Sequence, residues 1–466
     1  MRIALVKPPV TYADWNRRPI LGICYISAAL KTQGISCKIF DAHYNVWTYD
    51  ELIQKILEYE PTLVGFTAMT HEVIPCSNIA NVIKKRLGVT TVIGGCHVTP
   101  IPERTLNEFG VFDYAVIGEG EKTIIDLVQF IQKNRANTYP VSISGLAFRD
   151  SNNNVIVNDP RTSSTSSDLD LLPFPDFTEY YTESDSLAGK GAEYPMMSSR
   201  GCPYNCAFCM RVLGKKVRRR SAQNIVDEME YASTRWGAHT FKFVDEILLF
   251  NDDDTRELLN LMINTSLPDR IRWNCTTRAN LVNKELIDLS KKAGCYRIEI
   301  GVESGNENIL KAINKGITIQ QIRGAIRIIK EAGMATSTNF ILGHPNETKE
   351  TIRDTIKLAA ELNTDDVGVG IMVPYPGTRI YDMALKGEAG YRLLTENWSE
   401  YDKYGGQALE LRQLTAADLG RWQRYFFIYF YLRNFRFIDF IKFILTYRRG
   451  IKFILKKILF KSYKQK

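Results

Sequence analysis

An α/β protein made of two parallel-sheet units and a helical C-terminal region is predicted by three observations. Short apolar runs alternate with longer amphipathic ones over residues 1–140, the alternation resumes from Pro195 to about Leu385, and the final segment interleaves aromatic with basic residues. Strand–helix alternation of this kind predicts parallel strands covered by helices. At 466 residues the chain exceeds one ordinary core, so two or three domains are expected.

In the first unit the pairs run RIALV then ILGICYISAALKTQG, CKIFDA then YDELIQKILEYE, TLVGFTA then CSNIANVIKKRLG, TTVIGG then PERTLNEFG, and DYAVIG then EKTIIDLVQFIQK. They predict an N-terminal Rossmann-like, doubly wound parallel sheet over 1–140, with ligands at the carboxyl ends of its strands. Those ends carry Pro8 and Pro9, Asp41, Thr67, Gly94 and Gly95, and Gly118 to Gly120. Residues 141–194 break the rhythm. SISGLAFRDSNNNVIVNDPR predicts a hairpin around an Asn-rich turn, and SSTSSD followed by LPFPDF reads as a linker. Over 195–385 the strand candidates are MMSSR, FKFVDE, IRWNCTT, RIEIGVES, TSTNFILG and DVGVGIMVP, separated by helical patterns such as IQQIRGAIRIIKEAG. Six such strands predict a partial (β/α)6 TIM barrel with its functional groups at the strands' C-terminal ends. Residues 386–466 are expected to form a helical region ending in a basic amphipathic tail.

The net charge of +8 is unevenly placed, because residues from Arg421 onward hold thirteen Lys and Arg against the single acid Asp439. That leaves −4 on the first 420 residues. In the tail the longest uncharged run is Tyr425–Leu432, well short of the ~18–20 apolar residues that a membrane span requires. Two readings stay open for 421–440: a cationic helix lying on an anionic bilayer, or a helix packing its aromatic face on the barrel. For 441–466 the membrane surface is expected, so that a cytoplasmic protein would make peripheral contact at the inner face of the membrane. A nucleic-acid partner is not expected, although basic aromatic tails are compatible with one. The N-terminus MRIALVKPPV reads as a strand without the features of a secretion signal, and the odd total of nine cysteines favours a reducing compartment.

Cys202, Cys206 and Cys209 in RGCPYNCAFCM place three thiols on one loop at spacings of three and two intervening residues. A closed tetrahedral zinc site needs four donors, and no fourth Cys or His lies within about twenty residues on either side. With Gly201 and Pro203, this spacing resembles the signature of the radical S-adenosylmethionine (SAM) enzymes. The resemblance implies a [4Fe–4S] cluster held at three corners, SAM chelated at the open iron, and one-electron cleavage of SAM to a 5′-deoxyadenosyl radical. It further places Phe208 where the family makes an apolar contact with adenine, and Asp245 and Glu246 of FVDEILLF where it recognises the SAM ammonium. Arg278 of IRWNCTTRANLV stands at the next strand end, and Glu303 of IEIGVESGNENIL occupies the Gly-bracketed turn that meets the ribose or methionyl end. FILGHPNET looks like the usual Gly–X–Pro–Gly–Glu–Thr, with Asn346, which also tolerates φ > 0, in place of Gly. MVPYPGTRIYDMA matches a turn near the last strand.

The N-terminal unit is similar to the cobalamin (B12)-binding domain that precedes the barrel in one subgroup, through LVKPP, GFTAMT, GGCHVTPIPE and GEGEKTI. Cobalamin contacts are thereby implied for Thr67, Gly94, Gly95, His97, Gly118, Glu119 and Gly120. The glycines let backbone approach a flat macrocycle, Thr67 can donate to the nucleotide tail, and His97 either lines the corrin face or satisfies a loop carbonyl. Asp41–Ala–His43–Tyr–Asn–Val46 lacks the Gly of the Asp–X–His–X–X–Gly motif that supplies a cobalt-ligating His, so His43 is read as a surface-loop residue. The implied activity is methyl transfer to an unactivated carbon, with a lipid or isoprenoid-derived compound among the small-molecule substrates considered. Flavodoxin or ferredoxin is the implied electron donor. Oxidative cyclisation or ring rearrangement remains open as an alternative, as does a non-enzymatic cobalamin or redox-sensing module.

Overall fold

The computed structural model describes residues 1–9, 18–133, 138–161, 167–181, 187, 192–403 and 408–445. Its first sheet contains β1 (Arg2–Lys7), β2 (Ser36–Asp41), β3 (Leu63–Thr67), β4 (Thr90–Gly94), β5 (Tyr114–Val116), β6 (Leu146–Arg149) and β7 (Val155–Val157). The spatial order is β2-β1-β3-β4-β5-β6-β7. β1 to β5 are parallel, whereas β6 and β7 are antiparallel to their neighbours. Ile3, Val64, Ile93 and Ala115 are fully buried, as expected of strands covered by helices on both faces. The strand order reverses between β1 and β3, which opens a crevice at the carboxyl edge.

The hairpin read from the sequence as part of an inter-domain linker belongs to this sheet. Tyr114, Ala115 and Val116 of β5 pair with Phe148, Ala147 and Leu146, so the hairpin covers an edge whose backbone groups would otherwise be unpaired. His43, read as a surface-loop residue, is buried at the end of β2. There Asp41 caps the short helix Ala42–Asn45 by accepting from the Tyr44 amide, and Tyr180 donates to the same carboxylate at 2.9 Å. Val46 ends this turn in the left-handed region at φ 59°, where a β-branched side chain is strained. Val46→Gly is expected to raise stability by about 1 kcal/mol, because relief of left-handed strain exceeds the added backbone entropy. A lower thermal midpoint for this variant would contradict that assignment.

The second sheet contains β8 (Tyr194–Met196), then, after the small hairpin β9 (Ser199–Arg200) and β10 (Arg218–Arg219), the strands β11 (Thr240–Phe243), β12 (Arg272–Thr277), β13 (Cys295–Glu303), β14 (Ala335–Leu342) and β15 (Asp366–Ile371). Their order is β15-β14-β13-β12-β11-β8, all parallel, which is the expected six-stranded partial barrel. Most of the connecting helices begin at side-chain caps. Ser221, Asp252, Asn283, Thr318 and Thr348 each accept a hydrogen bond from an amide of the first helical turn that has no partner within the helix.

A second small hairpin, β16 (Tyr391–Leu393) with β17 (Leu409–Leu411), leads into the helix Ala416–Arg433. One face of this helix packs on the barrel: Leu419, Phe426 and Phe430 are buried, and Phe426 meets Phe340 of β14 at 5.3 Å between ring centroids, while Ile428 and Leu432 on another face stay exposed. Residues 446–466, most of the segment expected at a membrane surface, lie outside the described residues. No described helix is long and apolar enough to cross a membrane.

Candidate functional site

A cavity of about 300 Å³ lies where the carboxyl edge of the first sheet meets the second unit. Thr67, Gly94, Gly95, Gly118, Glu119 and Gly120 line it on one side, and Met197, Ser199, Arg200, Val244 and Glu246 on the other. Apolar side chains from the first sheet and its helices, among them Leu5, Ile26, Phe66, Val92 and Val116, complete the wall. Gly95 is required by the backbone there. Its φ is +104°, and a Cβ would fall 2.8 Å from the Ala68 carbonyl oxygen. A largely apolar wall with bare glycine backbone and a few polar groups suits a broad, flat ligand, and cobalamin fits that description.

His97 does not line this cavity. It is fully buried, and its ring meets Trp398 edge-on at 5.0 Å. Burial lowers its pKa to about 4, and neither ring nitrogen has a hydrogen-bond partner. Since the folded pKa lies below the unfolded value, the neutral ring stabilises the fold above about pH 6.5, and that contribution is lost as pH falls toward 4. His97→Phe is therefore expected to remove about 3 kcal/mol of acid destabilisation between pH 6.5 and 4. Thermal midpoints measured across that range check it, and an unchanged slope would contradict it.

The two units are joined at the cavity rim by buried ion pairs. Arg200, immediately before Gly201–Cys202, reaches Glu119 at 2.7 Å and Glu121 at 2.5 Å, while Arg218 on the paired strand β10 also bonds Glu119. The guanidinium of Arg200 lies 5.5 Å from the Tyr25 ring centroid. Burial disfavours the charge on Arg200, but Glu121 and Glu119 more than offset this and raise its pKa above the ordinary value. Glu119 thus both lines the cavity and ties the GEGEKTI loop to the cysteine loop. Neither arginine stands out in the sequence alone; the available signals are the position of Arg200 beside the motif and the run Arg218–Arg219–Arg220.

The cysteine loop is anchored by backbone. Cys202 N–H donates to Gly214 O at 3.1 Å, Ala207 N–H to Ile313 O at 2.9 Å, and Ile380 N–H to Ala207 O at 3.1 Å. Gly201, at φ +96°, lies so close to Lys216 that a Cβ would stand 2.2 Å from its carbonyl oxygen. Burial raises the pKa values of Cys202 and Cys209. All three thiols are partly exposed and unbridged, a donor set that suits a cluster bound at three corners.

Around this loop stand the residues expected at the strand ends. Arg278 is buried, lies 3.6 Å from the Tyr204 ring centroid, approaches Cys206 Sγ at 3.7 Å, and bonds the Lys315 carbonyl. Glu303 occupies the left-handed region at φ 68° and pairs with Lys315 Nζ at 2.6 Å. Its carbonyl accepts from His344 Nε2 at 3.2 Å. Lys315 also lies 5.8 Å from the Phe208 ring centroid, which joins Phe208, Glu303 and Arg278 into one neighbourhood that the motifs alone do not link. Asn346 has φ 59°, the left-handed conformation that suits Asn in place of Gly. Asp245 does not face the cofactor space. It accepts instead from the amides and hydroxyls of Ser198 and Ser199, fixing the chain just before the cysteines. Its neighbour Glu246 lines the cavity, with its pKa raised by burial.

Comparison with known proteins agrees with both halves of this arrangement. The family model of the radical SAM superfamily matches residues 196–359, and that of the B12 binding domain matches residues 18–128. The chain is 32% identical over 441 residues to an uncharacterized methyltransferase of Pyrococcus horikoshii, with 93% of each chain covered. It is 30% identical over 373 residues to the anaerobic magnesium-protoporphyrin IX monomethyl ester cyclase of Cereibacter sphaeroides, covering 78% of this chain and 60% of that one. Among solved structures, the radical SAM methyltransferase TsrM of Kitasatospora setae, with cobalamin and a [4Fe–4S] cluster bound, shares the fold. Its TM-score is 0.72 at 19% identity, over 93% of this chain and 89% of that one.

Proposed function

Because the chain belongs to the radical SAM superfamily and carries its B12 binding domain, with a [4Fe–4S] cluster, SAM and cobalamin as cofactors, we propose that it methylates an unactivated carbon. Enzymes of this family act on a small-molecule substrate and draw electrons from a reductant. The observation that carries the reading is the cavity itself, which places the glycine loops of one unit beside the segment that leads into the cysteine loop of the other. When bound, the cluster and SAM supply one-electron chemistry, and cobalamin supplies a transferable methyl group.

Cys202, Cys206 and Cys209 hold the cluster. Arg278 and the Glu303–Lys315 pair orient SAM beside it, with Phe208 supplying an apolar surface. Asp245 acts at one remove: by binding Ser198 and Ser199 it sets where the cysteine loop begins. Thr67, Gly94, Gly95, Gly118 and Gly120 flank the corrin, and Glu246 is the carboxylate from the barrel side of that space. The apolar wall of Leu5, Phe66, Val92 and Val116 excludes water from it. Flavodoxin or ferredoxin serves as reductant. The basic aromatic C-terminal segment makes peripheral contact with an anionic membrane, which favours a lipid-like substrate.

The test is turnover with SAM deuterated at its methyl group. Methyl transfer puts the intact label into the product. An unlabelled product carrying a new ring and no added methyl group would replace this reading with cyclisation, the activity named for the Cereibacter relative. Cobalamin binding without any SAM cleavage under reducing conditions would leave only a sensing module.

A further inference from the structure

A second cavity, of about 590 Å³, opens on the outer flank of the barrel between the helices Lys349–Leu362 and Ala416–Arg433. Lys349, Arg353, Lys357 and Arg421 set four exposed cations around it, and Trp422 and Tyr425 contribute aromatic wall. The lining holds one acid, Asp418, which is paired with Arg421 at 2.7 Å. Arg353 lies 5.6 Å from the Trp422 ring centroid and pairs with the exposed Glu350, just outside the lining, at 3.2 Å. The lining therefore carries excess positive charge beside aromatic surface, a combination suited to phosphate.

The same side of the C-terminal helix continues as an apolar series. At 100° per residue, Arg421, Trp422, Tyr425, Ile428 and Leu432 share one sector, while Leu419, Phe426 and Phe430 face the barrel from another. Ile428 and Leu432 are each 42% exposed. Beyond the helix, Phe435, Phe437, Ile438, Ile441 and Leu445 are between 53% and 77% exposed, with Lys442 and the Arg436–Asp439 pair among them. The 21 residues that follow contain eight Lys and Arg and no acid. An acidic protein would satisfy the cations alone. A bilayer interface satisfies the cations, the Trp and Tyr, and the extended aliphatic series together.

We propose that this face docks on an anionic phospholipid bilayer, with a lipid phosphate seated among Lys349, Arg353, Lys357 and Arg421 and with Phe435, Ile438 and Ile441 entering the boundary between headgroups and acyl chains. The inference rests on the membrane reading of the C-terminal segment and adds to it a headgroup site on the barrel. The full-length protein is to be sedimented with vesicles of phosphatidylglycerol in phosphatidylcholine, and with phosphatidylcholine alone. Retention is expected on the anionic vesicles and is expected to fall with added salt. A basic residue near such a surface contributes about fivefold in binding, so K349Q/R353Q/K357Q is expected to lower the partition coefficient on the order of 100-fold. The triple variant F435S/I438S/I441S should lower it too, with the thermal transition unchanged in both. Undiminished retention of the charge variant would overturn the headgroup site while leaving the membrane reading to the tail. No retention of the wild type on anionic vesicles would overturn both. Saturable binding of inorganic phosphate that K349Q/R353Q/K357Q abolishes, without vesicle retention, would assign the groove to a soluble anion instead.

Discussion

Replacing Cys206 with Ala is expected to leave the anaerobically reconstituted protein with background iron and with no reductive cleavage of SAM. The expectation rests on the donor count. Cys202, Cys206 and Cys209 are the cysteines of one loop, and the remaining six are dispersed: Cys24, Cys37, Cys76, Cys275 and Cys295 are buried, and Cys96 follows β4 in the N-terminal unit. A cluster held at three corners has no spare ligand nearby, so losing one thiolate removes a third of its protein attachment. Cys295→Ala provides the control, since that thiol is buried at the start of β13, where it donates to the Arg297 carbonyl at 3.4 Å. Iron content and 5′-deoxyadenosine after dithionite reduction measure both variants. Full iron in Cys206→Ala, or equal loss of iron in Cys295→Ala, would remove the cluster from this loop.

The sheets and the cysteine loop are legible in the sequence because both are local signals. RIALV, TLVGFTA and TTVIGG announce buried strands by composition within a few residues, and three cysteines on one loop announce a ligand set by spacing. The hairpin at Leu146–Val157 is legible as a hairpin but not as sheet edge, since pairing with β5 depends on partners some thirty residues away. Glu119 illustrates a different limit. Its Gly-rich setting points to a cofactor loop, and it does line the cavity, yet its ionic partners Arg200 and Arg218 stand 81 and 99 positions away. Lys315 escapes notice for the same reason: nothing in its own segment signals that the turn holding Glu303 folds back against it. The loop that carries His97 draws that residue toward the cavity on paper, whereas Trp398, 301 residues later, is what it packs against.

Arg200→Met is expected to be strongly disruptive, and to act on two measurable quantities at once. The side chain is 4% exposed and its partner Glu121 is 9% exposed, so its removal strands a buried carboxylate and costs about 3–5 kcal/mol. Most of that cost is the unpaired charge. Accordingly, Arg200→Met combined with Glu121→Leu should recover much of the lost thermal stability, because a well-packed apolar pair can replace a buried ionic one. Function is expected to behave differently. Arg200 also bonds Glu119, which lines the cavity, and it precedes Gly201 and Cys202 without an intervening residue. The ion pairs therefore fix the distance between the glycine loops and the cysteine loop, and a packed apolar pair does not reproduce their direction. The double variant is thus expected to be stable and to cleave SAM, yet to form more 5′-deoxyadenosine per methylated product than the wild type does. A double variant with wild-type stoichiometry would reduce the clamp to a stabilising contact, and one that stays as unstable as Arg200→Met would mean that the Arg200–Glu119 pair, rather than Arg200–Glu121, holds most of the interface.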